Sequence, residues 1–166
     1  MTRKLGLLLV LAALSWAGAA AAQAPTSAPP PPPPYGPPIT LEDAKKAAAA
    51  AVAEVPKIGS APDAIAIVDH GGFLVYFERM ENTQLGSVEI AIEKARAAAL
   101  FRRPTKAFED ALAGGRTAIL AIHGAVALEG GLPLISGGKL IGAIGASGGT
   151  ASQDGQVAKA GADAVK

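Results

Sequence analysis

From Thr40 onward the apolar positions switch repeatedly between a helical period and a strand period. In "TLEDAKKAAAAAVAEV", Leu41, Ala44, Ala48, Ala51, Val52 and Val55 recur at three- and four-residue intervals, which predicts an amphipathic helix. Thr40 is placed to cap it, and Glu42 and Asp43 suit the positive end of its dipole. "DAIAIVDHGGFLVYFERM" then reads as a hairpin. Ile65, Ile67 and Val68 lead into an Asp-His-Gly-Gly turn, and Phe73, Val75 and Phe77 alternate with Leu74, Tyr76 and Glu78. A second helix follows in "SVEIAIEKARAAALFRR", with Val88, Ala91, Ile92, Ala95 and Ala99 on its buried face and Pro104 beyond its end. Thr105 to Ala113 predicts a short helix stopped by Gly114-Gly115.

Arg116 to Gly124 fits neither period. Beyond it the pattern predicts a three-stranded meander: Val126–Glu129, a turn at Gly130-Gly131, Leu132–Ile135, a turn at Gly137-Gly138, and Leu140–Gly145. A last helix spans about Ser152 to Val165. The element order is α-β-β-α-α-β-β-β-α. Strands joined by hairpins on either side of helices describe a single α+β domain with a five-stranded antiparallel sheet, not a βαβ nucleotide fold.

Upstream the periodicity is replaced by two other signals. Arg3-Lys4, an apolar core of about ten residues and a run of small residues describe a secretory signal peptide over residues 1–22. That core is short of the roughly 20 residues needed to cross a bilayer. "PTSAPPPPPPYGPP" cannot form a helix or an interior strand, so residues 23–38 read as a polyproline spacer, with the folded domain at 39–166. The expectation is a periplasmic or secreted protein that does not contact membrane once its signal is removed.

Composition narrows the chemistry. No Cys is present, which excludes lipid attachment through cysteine, covalent haem through C-x-x-C-H and zinc sites built on Cys pairs. The formal charge is +1, and −1 once Arg3 and Lys4 are removed. With only 4% aromatic residues, neither a basic stripe nor a stacking platform for nucleic acid is expected. "EGGLPLISGGKLIGAIGASGG", from Glu129 to Gly149, invites a phosphate loop. Its spacing fails, because Pro133 stands at the first glycine of a P-loop and Leu140 at its Ser/Thr, and no G-x-G occurs anywhere. No nucleotide is expected. "GASGG" formally matches G-x-S-x-G, but both histidines precede Ser147, the reverse of the hydrolase order. The stretch reads as neither an NTPase nor a serine hydrolase. It reads instead as an exit loop whose backbone N–H groups could take a carboxylate, with Glu129 and Ser147–Gly149 at a pocket rim.

Two imidazoles remain. His70 sits in the predicted hairpin turn. His123 lies in "AILAIHGAVAL" among aliphatic neighbours, so it is expected either in the core or lining an apolar pocket. Two histidines without Cys and without H-E-x-x-H spacing argue against a zinc site. Glu89 and Glu93, one turn apart, could share a hard cation or acid/base work, although Arg96 offers Glu93 a simple ion pair. Arg116 could clamp a carboxylate bidentately, or pair with Glu109 or Asp110.

"AIVDHGGFLVYFERM", "EKARAAALFRRPTKAFE", "GGRTAI", "LEGGLPLISGGKLIGAIGASG" and "SQDGQVAKAGADAV" together resemble the GlcG/HbpS family, in order and over nearly all of residues 39–166. The resemblance implies a profilin-like or HbpS-like five-stranded antiparallel sheet flanked by helices, homo-oligomers, and non-covalent haem or a related tetrapyrrole as ligand. It also implies an iron-related E-x-x-E, of which Glu93 matches the second position while Ile90 occupies the first and Glu89 is one residue off. The expected function is an exported small-ligand-binding protein. His123 or His70 would offer iron an axial donor, with Tyr76 and Met80 as other donors, and Arg116 would meet the propionates. An enzyme or accessory factor of hydroxy-acid or aromatic metabolism, using Glu93 and His123, is the alternative; an oligomeric scaffold is the third.

Overall fold

The computed structural model describes residues 30–165; the signal-peptide reading at 1–22 and the first part of the expected spacer lie outside them. Four helices and four strands follow one another as α1 (Leu41–Glu54), β1 (Ala64–Asp69), β2 (Leu74–Arg79), α2 (Ser87–Phe101), α3 (Lys106–Ala113), a 3-10 helix (Thr117–Ala121), β3 (Gly131–Ser136), β4 (Lys139–Ser147) and α4 (Ala151–Asp163). The sheet order is β2-β1-β4-β3, and every neighbouring pair is antiparallel. No described helix is long and apolar enough to cross a membrane.

Helices cover both faces of the sheet, and strand alternation sorts the core between them. Ile65 and Ile67 of β1 pack with Ile144 and Leu134 against Ala44, Ala47, Ala48 and Ala51 of α1 and Val157 and Ala158 of α4. Ala64, Ala66 and Val68 point the other way, with Ala143, toward Ala91, Ala95, Ala98 and Ala99 of α2. The second layer is built almost wholly from alanine, so helix and sheet backbones approach closely. At Gly145 the approach is closest: a Cβ there would run into the Ala91 carbonyl.

Local capping follows the sequence signals. Thr40 Oγ1 accepts from the Asp43 amide at 3.1 Å and starts α1. Thr150 and Gln153 form a reciprocal capping box on α4. Gly137 and Gly138, with φ of 54° and 74°, make the β3–β4 hairpin turn, a backbone that other residues adopt only with strain.

The sheet has four strands where five were expected. Val126–Glu129 does not pair, because its neighbours' backbone groups are claimed elsewhere. The Glu129 amide donates to the Glu109 carboxylate of α3. The Gly131 amide donates to Thr105 Oγ1 at 2.9 Å, while the Gly131 carbonyl accepts from the Thr105 amide at 3.0 Å. Gly130, at φ 122°, is not in a hairpin turn; it bends the chain into β3, and its carbonyl accepts from the Ala146 amide. β3 is consequently an edge strand, which is where Pro133 is tolerated.

Part of the expected spacer also packs on the sheet. Beyond the end of β1, Tyr35 bridges Leu140 in parallel sense. The Leu140 amide donates to Pro34 at 2.8 Å and the Gly36 amide to Leu140 at 2.7 Å.

The close α2–β4 layer makes a testable demand on Gly145. Gly145→Ala should destabilise the fold by about 3 kcal/mol, through overpacking against backbone that cannot rotate away. Gly86→Ala, at a position with open space around it, should stay within about 1 kcal/mol of wild type. Urea unfolding of the two variants measures both.

Candidate functional site

The β1–β2 turn brings together an imidazole, two arginines and exposed apolar side chains. Asp69 shapes the turn: its Oδ1 accepts from the amides of Gly71 and Phe73 at 2.8 and 3.0 Å. Gly72, at φ 84°, closes over Leu100 and the Arg96 stem at the end of α2. His70 at the turn tip is half-buried, and its Nδ1 is sealed from solvent without a hydrogen-bond partner. Tyr35, delivered by its bridge to β4, tilts its ring toward His70 at a centroid distance of 6.0 Å.

Arg102 completes this end of the molecule. It ends α2 in the left-handed region, at φ 52°, a conformation that costs a non-glycine residue energy. Its guanidinium lies 5.1 Å from the Tyr35 ring centroid and donates to the Pro33 carbonyl at 3.3 Å. Arg96 donates to the Gly72 carbonyl at 3.3 Å and pairs with Glu93 at 2.9 Å. Tyr35, Phe73, Leu74 and Leu100 are all exposed around this cluster, with Phe73 at 73%. An imidazole beside Arg102 and the Glu93-paired Arg96, on an apolar, partly aromatic surface, suits a flat, apolar, anionic ligand with a metal centre.

The other candidates are placed elsewhere. His123 is exposed, neither in the core nor in an apolar pocket. The aliphatic run around it belongs to the 3-10 excursion, from which only Ile119 is buried while Leu120 and Ile122 face solvent. Arg116 is exposed at the start of that helix. Neither expected partner holds it: Glu109 takes the Glu129 amide, and Asp110 pairs with Lys106 at 2.8 Å. Glu129 is half-buried against Gly155, with Lys106 at 3.8 Å. Glu89 is exposed, and Glu93 spends its charge on Arg96. Among the described residues no cluster of three or more His, Asp or Glu side chains could hold a metal ion. Tyr76 donates to Glu78 at 3.1 Å, and Met80 Sδ accepts from the Asp63 amide at 3.5 Å. A groove of about 420 Å³ lies between β3 and α4, with Arg102 on its rim, and holds neither imidazole.

A buried charge cluster forms a second centre that no sequence motif marks. Lys94 of α2 is 2% exposed; its Nζ pairs with Asp154 Oδ2 at 2.6 Å and donates to the Ala146 carbonyl at 3.0 Å. Asp154 Oδ1 accepts from the amides of Gly148 and Gly149, so the carboxylate taken by that glycine-rich loop is the chain's own. Burial holds Asp154 above its ordinary value, with Lys94 and the two amides pulling the other way. Asp63 is fully buried beside them, and neither of its carboxylate oxygens has a partner. Burial, then the nearby Asp154 charge, pushes its carboxyl up to about 6. Ser147 is itself buried at the end of the β4 ladder, opposite Ala64. The signal was a lysine at the centre of an alanine face, between Ala91 and Ala98.

Residues 39–163 match the family model described as haem degrading protein HbpS-like. The chain belongs to the HbpS-like family. Among curated proteins, protein GlcG of Escherichia coli K12 is 43% identical over 84 residues, which cover 51% of this chain and 63% of GlcG, a little under two thirds of its length. Two solved HbpS-like structures share the fold. A double Glu→Asp mutant of Streptomyces reticuli HbpS superposes with a TM-score of 0.71 at 32% identity, covering 87% of this chain and 99% of that one. PduOC in complex with heme gives a TM-score of 0.69 at 28% identity, covering 78% and 96%. The matched span includes His70, Arg96 and Arg102 and the buried Lys94–Asp154 pair, and begins after Tyr35.

The buried ion pair should behave as a structural requirement. Lys94→Met leaves Asp154 charged and unpaired, and is expected to cost about 3–5 kcal/mol in urea unfolding. Lys94→Met combined with Asp154→Leu should recover part of that loss. A single-variant cost below about 1 kcal/mol would give the pair no more weight than a surface one.

Proposed function

We propose that this chain binds haem or a related tetrapyrrole non-covalently at the β1–β2 turn, with His70 as the imidazole donor. The supporting observation is the convergence of His70, Tyr35, Arg96 and Arg102 within one exposed apolar patch. Arg96 and Arg102 would meet the propionates, Tyr35 and Phe73 would cover the ring faces, and bound haem would supply a redox-active iron. The sealed, unpartnered Nδ1 fits a ring held in place by packing rather than by hydrogen bonding. A relative solved with heme and a family described by haem degradation support the ligand class.

The proposal extends to an exported homo-oligomer. Arg3-Lys4 and the apolar run after it support export. The site patch lies open on the surface of one chain, so a second copy packed over it would shield the ligand from water.

Haemin titration of the purified protein, followed in the Soret band, tests the site. Wild type should saturate at a defined stoichiometry, and His70→Ala should shift the band and weaken binding by at least tenfold. His123→Ala should leave both unchanged. A band lost only in His123→Ala moves the site to the 3-10 excursion, and no saturable band in wild type overturns the proposal. A band that decays in the presence of reductant and air would point to degradation rather than storage.

A further inference from the structure

The buried cluster at Asp63 has no part in the proposed ligand site, and its charges do not balance. Lys94 is one cation against two carboxyl groups, and its contacts go to Asp154 and the Ala146 carbonyl, not to Asp63. Asp63 closes the loop before β1. Its main chain is anchored, with the carbonyl accepting from the Met80 amide at 3.1 Å and Thr83 Oγ1 at 3.1 Å. Its side chain is pressed against the β4–α4 turn, so a Cβ on Gly148 would strike Asp63 Oδ1 and the Pro62 carbonyl. Ser60 Oγ, against Gly149 in the same turn, is also buried without a partner. An ionised carboxylate here would be a buried charge beside Asp154, answered by the Gly149 amide and the charge of Lys94 and by no ion pair of its own, a costly arrangement. A neutral carboxyl removes the charge and supplies a donor.

We propose that Asp63 is the protonable element of a buried latch, which clamps the Gly148–Gly149 turn onto the start of β1 when neutral and loosens it when ionised. The charged groups facing Asp63 are Asp154 from α4 and Lys94 from α2; after β2 its backbone meets the uncharged Met80 and Thr83. Gly149 contributes an amide that favours the ionised form, and burial with Asp154 outweighs it and Lys94 together. A carboxyl whose folded value is raised from 3.8 to about 6 keeps its proton longer in the folded chain than in the unfolded one. Its stabilising contribution is complete below the ordinary carboxylate range and is lost as pH rises through about 6. The same turn supplies both amides that hold Asp154, so loosening it also weakens the seat of Lys94.

Thermal unfolding of the full chain between pH 4.5 and 8, compared with Asp63→Asn, reads the effect. Relative to the variant, wild type should lose roughly 5–10 °C in Tm across the window. A Tm difference that does not change with pH overturns the proposal. Should Asp63→Asn fail to fold, carboxyl-carbon NMR of wild type decides instead. An Asp63 signal titrating near 6, with faster amide exchange at Gly148 and Gly149 but not in the middle of β1 after correction for intrinsic rates, is expected. Titration in the ordinary carboxylate range, or unchanged exchange at the two glycines, overturns the latch.

Discussion

One buried ammonium ties α2, β4 and α4 together, at the place where α2 meets the sheet through small side chains. Lys94 reaches from α2 across the end of β4 to α4, with its charge cancelled by Asp154 and its remaining contact made to the Ala146 carbonyl. The layer around it is alanine and glycine, which provides close backbone approach but little apolar area per residue. A layer of that kind tolerates sliding between helix and sheet. A charged pair shut away from water does not, because displacement leaves both ions without solvent or partner. The register of α2 on the sheet, and with it the position of Arg96 two residues on and of Arg102 about two turns on, depends on that pair.

The two centres therefore divide the labour along α2. Its first half carries Lys94 into the core and meets the β4–α4 turn. Its last turns carry Leu100 and Arg102 to the opposite end of β1, where the hairpin presents His70. β1 joins the same two places, with Asp63 just before its first residue and Asp69 shaping the turn after its last. A strand and a helix running between a charged core and a half-buried imidazole form a frame in which the surface cluster is held by buried contacts.

Periodicity made most of the fold legible, because helix faces and hairpin turns are local properties. Most of the α1 stripe, the Thr40 cap and the glycine turn at 137–138 follow from neighbours in sequence, although Leu41 of that stripe faces solvent. The fifth strand failed for a non-local reason. Val126–Glu129 has strand-like residues, but Glu109 and Thr105, some twenty residues earlier, occupy the adjoining backbone groups. His123 misled by the same route: aliphatic neighbours imply burial only if their segment packs, and the 3-10 excursion mostly does not. His70 was legible as a turn residue, whereas its partners Tyr35 and Arg102 come from a proline-rich run and a helix end that only the tertiary structure brings close. Lys94 was readable as an oddity on an alanine face; its pairing with Asp154, sixty residues on, was not.

The bridge between Tyr35 and Leu140 carries a consequence for where this domain begins. Composition alone draws the border at Ile39, after the last proline, and a chain trimmed there would retain every helix, every strand and the Lys94 pair. It would lose the aromatic ring beside His70 and the carbonyl that orients Arg102. Such a chain would keep its core and yet lack one wall of the proposed ligand surface. The tail of the proline run thus belongs to the proposed site, so changes in residues 33–36 are expected to be felt at the imidazole before they are felt in the core.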